Sequence, residues 1–450
     1  MTNHFKFKYF YFFLCISYFL SLIWVNKSLG FLPRPDMTGS FHPVGQDARA
    51  FSMGGAFIAI ADNASASDCN PAGLIQLDRS EISVAGSFSH LIEKPALGII
   101  PDDINHQTVS DFNLNYISLV FADWHQNLVL SVNYHKLYSF DREWNFYLLN
   151  PDHDISSQNI DYKSKGYLTA LGIACAIRVN ESISFGLTFN FWQNNDLFNN
   201  SWHQKVIQSG KGVHQGDAFI EHNCSLDRFT FKGVNLNIGF LWKQIYNSGF
   251  SFGAVLKTKF KGNLDVYHDF SANIKFPDLP EKYNFSYSQT FNEEASLIMP
   301  MSYGLGLAYR FSDSFTTSID IFKTHWEDVV YEDARGVKST PITGKPTYMS
   351  NIQPTIQVRM GAEYFLYETQ QFAYPLCFGL FYDPAPAEGR PDDYYGISCG
   401  FGIADKQNFS FDFAYQFRFG NNVGTSVLKS WSFSQDIHEH HVYSSIIFYF

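Results

Sequence analysis

Gly396-Ile-Ser-Cys-Gly400 fits G-x-S-x-G, the frame that in hydrolases holds a nucleophilic serine on a sharp strand-to-helix turn. Here Ser398 stands inside "YYGISCGFGI", where every second residue from Gly396 to Gly402 is small. That places the serine in mid-strand and removes the geometry a nucleophile needs. A second candidate is His438-Glu-His-His441, whose side chains can ligate zinc. It falls where the last long connection meets the last strand, so a solvated loop is the expected setting. No metal and no cofactor is assigned. A third set is Arg310, Asp320, Asp412 and Arg418, charges on the small-residue faces of alternating segments. In a lumen they would guide a carboxylate head group or pair structurally with N-terminal residues such as Asp62, and structural pairing is favoured. Cys69, Cys175, Cys224, Cys377 and Cys399 are scattered, with no C-x-x-C. The sixth, Cys15, is expected to leave with an N-terminal signal peptide, and the odd number that remains excludes a fully paired framework within one chain. No Ser/His/Asp constellation gathers on one face, so no enzyme is expected.

The elements that must carry these residues alternate with period two. In "MSYGLGLAYRF", Tyr303, Leu305, Leu307, Tyr309 and Phe311 share one face, opposed by Ser302, Gly304, Gly306, Ala308 and Arg310. "NFSFDFAYQFRF" and "SISFGLTFNF" repeat the pattern. Many such segments run about 10–12 residues, the span of a tilted strand crossing a bilayer, whereas soluble strands cluster near ~5–6. Strands are expected near 81–90, 112–123, 127–139, 165–178, 182–192, 227–242, 248–261, 300–311, 314–323, 354–367, 371–383, 393–404, 407–419 and 440–450. Short turns such as "VNE" and "SD" alternate strictly with long connections at 91–111, 140–164, 193–226, 262–299, 324–353, 384–392 and 420–439. The expected fold is all-β: a transmembrane antiparallel β-barrel of about fourteen strands.

Composition agrees. Aromatic residues make up 18 %, with 46 Phe, more than an ordinary soluble core uses and suited to a lipid-facing wall. The formal charge of −11 with no basic block argues against nucleic acid. Residues 1–30 read as a signal peptide, with Lys6 and Lys8 before the apolar run Tyr9 to Val25 and cleavage expected before Phe31. Residues 81–450 form the barrel. "VYSSIIFYF" ends on Phe450, which resembles the aromatic terminal signal read by barrel-assembly machinery. Arg in place of Phe411 or Leu305 is expected to impair insertion, with Arg at Ser410 or Gly304 better tolerated.

A barrel this wide is a water-filled channel or is plugged. Residues 31–80 do not alternate and are rich in small residues, as in "ADNASASDCNPAGL". Ala, Ser and Gly let a backbone lie close against an inner wall that is itself small at Gly304, Gly306, Ala308, Gly396, Ser398, Gly400 and Gly402. Asn63 is expected to cap one short helix and Asn70 another, with Pro71 at its first position.

"GQDARAFSMGGAFIAIADNASASDCNPAGL" resembles the N-terminal hatch of the FadL-type outer-membrane transporters of long-chain fatty acids and other hydrophobic compounds. "PMSYGLGLAYRFSDSFTTSIDIFKTHWEDV" and the stretch from Met360 to Phe417 are also similar to that family. The resemblance implies a fourteen-stranded barrel in the outer membrane of a Gram-negative-type bacterium, plugged by residues 31–80. It implies passive uptake of a hydrophobic small molecule through an external capture site, a pocket beside the hatch, and lateral release into outer-membrane lipid. Asn70, Pro71, Ala72 and Gly73 would form the gating turn. The kinked wall strand of the family corresponds by order to the third strand, near Asn133 and His135. A second possibility is a non-transporting barrel serving a protein secretion system, since some such barrels carry a similar Asn-Pro-Ala start.

Overall fold

The computed structural model describes residues 35, 37, 47–97, 106–125, 127–149, 155–195, 198–214, 216–245, 248–426 and 432–450. The expected signal peptide lies outside the described residues, as does most of 31–46. Fourteen strands carry the wall: β1 (Glu81–Leu97), β2 (Gln107–His125), β3 (Leu128–Ser139), β5 (Ile155–Arg178), β6 (Ile183–Trp192), β8 (Asp217–Trp242), β9 (Phe250–Lys257), β12 (Ser302–Ser312), β13 (Phe315–Thr324), β16 (Thr355–Glu368), β17 (Phe372–Tyr382), β18 (Tyr395–Asp405), β19 (Phe409–Val423) and β20 (Phe433–Tyr449). Each pairs antiparallel with the next, and β1 pairs with β20 from Glu81↔Tyr449 to Leu97↔Phe433. The ring is therefore closed, which removes the unpaired edges that hydrocarbon would not tolerate. No helix among the described residues is long and apolar enough to cross a membrane.

Six further strands lie in segments expected to be plain connections: β4 (Arg142–Leu149), β7 (Ser201–His214), β10 (Phe260–Lys275), β11 (Phe285–Met299), β14 (Val330–Glu332) and β15 (Lys338–Ser339). With the outer halves of β5 and β8 they form a second sheet, ordered β4-β5-β7-β8-β10-β11-β14-β15. Two wall strands thus run on beyond the barrel. β5 changes sheets at Gly166, whose φ of +131° permits a bend that a side chain would clash with against Trp202. The inner side of this sheet is aromatic: Phe140 stacks on Trp202 at 4.5 Å and Trp202 on Phe229 at 5.0 Å. Trp192, Phe231, Leu264, Leu297 and Trp326 join the same buried cluster.

Outward faces are apolar and inward faces small or polar, as the alternation requires. Leu305 is 51 % exposed on the outer wall, while Gly304 and Gly306 on the same strand are buried. Leu305→Arg is expected to lower barrel abundance in the outer-membrane fraction, because an arginine on the lipid face near mid-bilayer costs about 2–4 kcal/mol. Ser410→Arg, on the lumen face, escapes that term. Immunoblots with and without heating distinguish them, and equal loss would reverse the inside-outside assignment. Gly304 is not the tolerant counterpart the alternation suggests. A side chain there would run into Phe322 and Ile58.

Candidate functional site

Residues 47–80 lie within the ring, since their short elements touch strands on opposite sides of it. The helix Ala48–Ser52 packs against β17 to β20, while the helix Ala66–Cys69 and the 3₁₀ turn Pro71–Gln76 pack against β3, β5, β6 and β8. Three cross-strand glycine pairs seat the segment. Gly186 and Gly239 face each other on β6 and β8, and a Cβ on either would overlap the Asn70-Pro71-Ala72 turn. Gly253 and Gly306 seat Ile58 and Ala59 in the same way. Gly361 and Gly379 seat Met53 and Gly54.

Directed hydrogen bonds fix the segment over these seats. Asn70 accepts from Ala72 N at 3.2 Å and donates through Nδ2 to Ile58 O at 2.8 Å and to the wall carbonyl of Phe240 at 3.0 Å. Pro71 opens the turn, where its missing N–H costs nothing. Ser184 donates to Ala72 O at 2.9 Å and Thr188 to Ser67 O at 2.6 Å. Asp320 accepts from Phe57 N at 2.7 Å and Ile58 N at 2.9 Å. Arg49 bridges Asp62 at 2.7 Å and the wall residue Glu363 at 2.6 Å. Asn63 does not occupy the cap position of its helix, which falls to Ser65. Instead its Oδ1 accepts from Ser65 N at 3.1 Å, and its amide bonds Asp47.

Between this segment and the aromatic underside of the outer sheet lies a cavity, part of it open to solvent. Its upper lining, from the aromatic cluster, is apolar: Leu137, Trp192, Phe260, Met299 and Trp326. Its lower lining carries Asp68, Lys257 and Arg359 together with the apolar Ile58 and Phe322, and Asn190 and Asn235 stand beside Trp192. The cations there are not idle. Lys257 bonds Asp68 at 2.9 Å, and Arg359 bonds Gln357 at 3.0 Å. Trp192 is oriented by its Nε1–H to Asn235 Oδ1 at 2.8 Å, and Trp326 by Thr355 at 3.0 Å. Such a site can take a long apolar body and one polar end.

Beside the cavity the wall is incomplete. The β2–β3 ladder runs from Phe121↔Leu130 to Tyr116↔His135 and stops, although β2 extends outward to Gln107 and β3 to Ser139. On its other side β3 shifts register against β5 between Lys136 and Tyr138. At the foot of the gap Tyr116 donates to Ala64 O at 2.6 Å and meets Ser67 Oγ at 2.6 Å, tying the N-terminal segment to the last paired rung.

The residues singled out in the sequence are not all together. Asn70, Pro71, Ala72 and Gly73 sit in one buried turn, and Asp320 and Asp412 are buried on the lumen face. Arg418 is buried too, but its partners are Glu439 at 2.9 Å, Asp383 at 3.5 Å and the Tyr394 ring at 3.7 Å, all outside the N-terminal segment. Arg310 is misplaced by the alternation. It stands near the end of β12, where its half-exposed side chain bonds Ser312 O and Asp313 of the turn to β13. Asn133 and His135 are buried and bonded to each other at 2.9 Å within a regular ladder, so the irregularity of the strand falls just beyond them. Ser398 accepts from Gly54 N at 2.9 Å and donates to Ser52 O at 2.8 Å in mid-strand. His438 to His441 lie inside β20, not in a loop. Among the described residues no group of three or more His, Cys, Asp or Glu could hold a metal ion. Lys257, Asp68, Trp192 and Trp326 went unseen in the sequence; the one signal was that Trp192 closes an alternating run.

Comparison with known proteins gives a consistent picture. The family model described as outer membrane protein transport protein (OMPP1/FadL/TodX) matches residues 147–437, more than half of the chain. No curated protein matches. Among solved structures, a Pseudomonas aeruginosa FadL homologue superposes with a TM-score of 0.59 at 14 % identity, covering 93 % of this chain and 100 % of that one. The Ralstonia pickettii toluene transporter TbuX gives 0.56 at 13 % identity, with 91 % and 100 % covered. The Pseudomonas putida toluene transporter TodX gives 0.56 at 12 %, with 92 % and 99 % covered. At these identities the likeness is one of fold.

Proposed function

The chain belongs to the outer membrane protein transport family (OMPP1/FadL/TodX), and from that premise we propose that it is a passive channel for a hydrophobic compound in the outer membrane of a Gram-negative-type bacterium. The cavity carries this reading. Its apolar roof and the charged groups of its floor suit an elongated amphiphile such as a long-chain fatty acid better than a compact hydrocarbon like the toluene named for two structural relatives. Residues 31–80 act as the hatch, and Asn70, Pro71, Ala72 and Gly73 as its gating turn. A carboxylate reaching the floor meets no unpaired lysine there. It competes with Asp68 for Lys257, and a ligand that favours the parted arrangement shifts the hatch toward it. Since Ser67 and Ala64 of the hatch hold Tyr116, that movement loosens the wall at the foot of the β2–β3 gap. Release is lateral, through this gap into lipid.

Deleting Asn70 to Ala72 tests the reading. The deletion removes a cap worth about 1 kcal/mol and the wall bonds to Phe240 and Ser184. The closed ladder of the barrel is untouched. Expected is lower uptake of a labelled long-chain fatty acid by cells lacking their own transporter, at unchanged barrel abundance by immunoblot. Equal uptake at equal abundance removes the hatch mechanism and leaves the secretion-associated reading as the better one.

A further inference from the structure

Where the β2–β3 ladder is missing, side chains hold the wall. Just before β3 shifts register against β5, His135 and Lys136 are both buried, so the lysine is shut away from the outer surface although the alternation puts it on the outward face. The Lys136 ammonium crosses the gap to Asn113 Oδ1 on β2. It also lies 4.7 Å from the Tyr167 ring centroid on β5. The carboxylates of Asp111 on β2 and Asp141 just after β3 also act electrostatically on this ammonium. Asp141 is held from its own side by Ser139 Oγ at 2.9 Å and Gly166 N at 3.1 Å.

A buried ammonium is an expensive way to fill a wall, because it must be partnered or it destabilises the fold. An apolar residue would pack there at no such cost. Position explains the choice. Leu137 and Tyr138, next in the chain, line the cavity. Phe112 and Leu114 flank the gap on the lipid side, 78 % and 44 % exposed. Lys136 therefore stands between the cavity and the lipid, at the stretch of seam where no backbone ladder resists parting.

We propose that Lys136 is the latch of this seam: it holds β2 and β3 together through Asn113, and breaking that bond opens the wall to let cargo out. The proposal rests on the lateral-release reading. It adds what keeps the exit shut, so that the seam opens by exchanging side-chain bonds without breaking backbone ladder.

The test measures the initial rate of radiolabelled oleate uptake by transporter-lacking cells expressing the full chain, with heat-dependent gel mobility confirming a folded barrel. Lys136→Met should speed uptake at least about tenfold, the order set by losing one hydrogen bond to a charged group. Asn113→Ala should do the same, and it decides the matter if Lys136→Met fails to fold. The double variant Asn113→Cys/Lys136→Cys, oxidised across the gap, should fall to the level of cells without the protein and recover on reduction. Each single cysteine variant controls for the native thiols. If the disulfide blocks uptake but Lys136→Met and Asn113→Ala run at or below the wild-type rate, the latch is wrong and lateral release stands. If the disulfide forms and uptake continues unchanged, lateral release through this seam is wrong and the latch falls with it.

Discussion

Gly239→Leu is expected to unseat the N-terminal segment while leaving the barrel in the membrane. A Cβ at residue 239 would overlap Asn70 Oδ1 and crowd Ala72 N and the Pro71 ring, and Gly186 directly opposite offers the turn no room to move sideways. Overpacking of this kind typically costs about 1–3 kcal/mol. Most of the strain falls on the turn, because the turn is held by a few hydrogen bonds and β8 by continuous ladders on both sides. The same change at Gly402 should have a different result. A side chain there meets first Asp412 and Pro375, both of the wall. Leakage of a small polar antibiotic into cells, read beside heat-dependent gel mobility, separates the two. Gly239→Leu should leak and still show a folded band; a tight barrel with normal uptake would mean that the glycine seats do not hold the segment.

Asp320→Leu should loosen the same segment from the other side. Its Oδ2 is the acceptor for Phe57 N and Ile58 N, both buried. Leucine leaves two buried N–H groups without an acceptor, at about 1–3 kcal/mol each. Asp320→Asn keeps a carbonyl oxygen in that place and should behave nearly as the parent. The comparison is informative because both variants remove the charge. If aspartate guides a substrate head group by its charge, the two lose uptake alike. If it anchors the segment, only leucine raises solute leakage and lowers the temperature of the gel-mobility transition.

Much of this fold was readable because alternation over ten or more residues is a physical signature of a wall with lipid on one side and a lumen on the other. All fourteen wall strands lie where the alternation puts them, and the Asn70 cap with Pro71 follows from local turn chemistry. The second sheet escaped because a strand such as "SWHQKVIQSGKGVH" is polar on both faces for much of its length, so no apolar period marks it. Glycine pairing was hidden for another reason. Gly186 meets Gly239, and Gly253 meets Gly306, only through the register of neighbouring strands. Alternation marks a residue as inward-facing and says nothing of its depth, which is why Arg310 was assigned to the lumen yet stands near the end of β12 and bonds the turn that follows. Nor does it say what covers an outward residue, and Lys136, outward by counting, is buried beside a register shift.

As a channel of this kind, the protein holds a hydrophobic compound in the cavity between the N-terminal segment and the aromatic roof when it is extracted from the membrane. The most direct measurement is an experimental structure of the protein extracted in mild detergent with its native lipid left bound, paired with mass spectrometry of the extracted compound. Expected is an elongated ligand with its apolar body against Trp192, Phe260 and Trp326 and its polar end near Lys257 and Asp68. A cavity that holds only water under these conditions, with lipid confined to the outer wall, would contradict it.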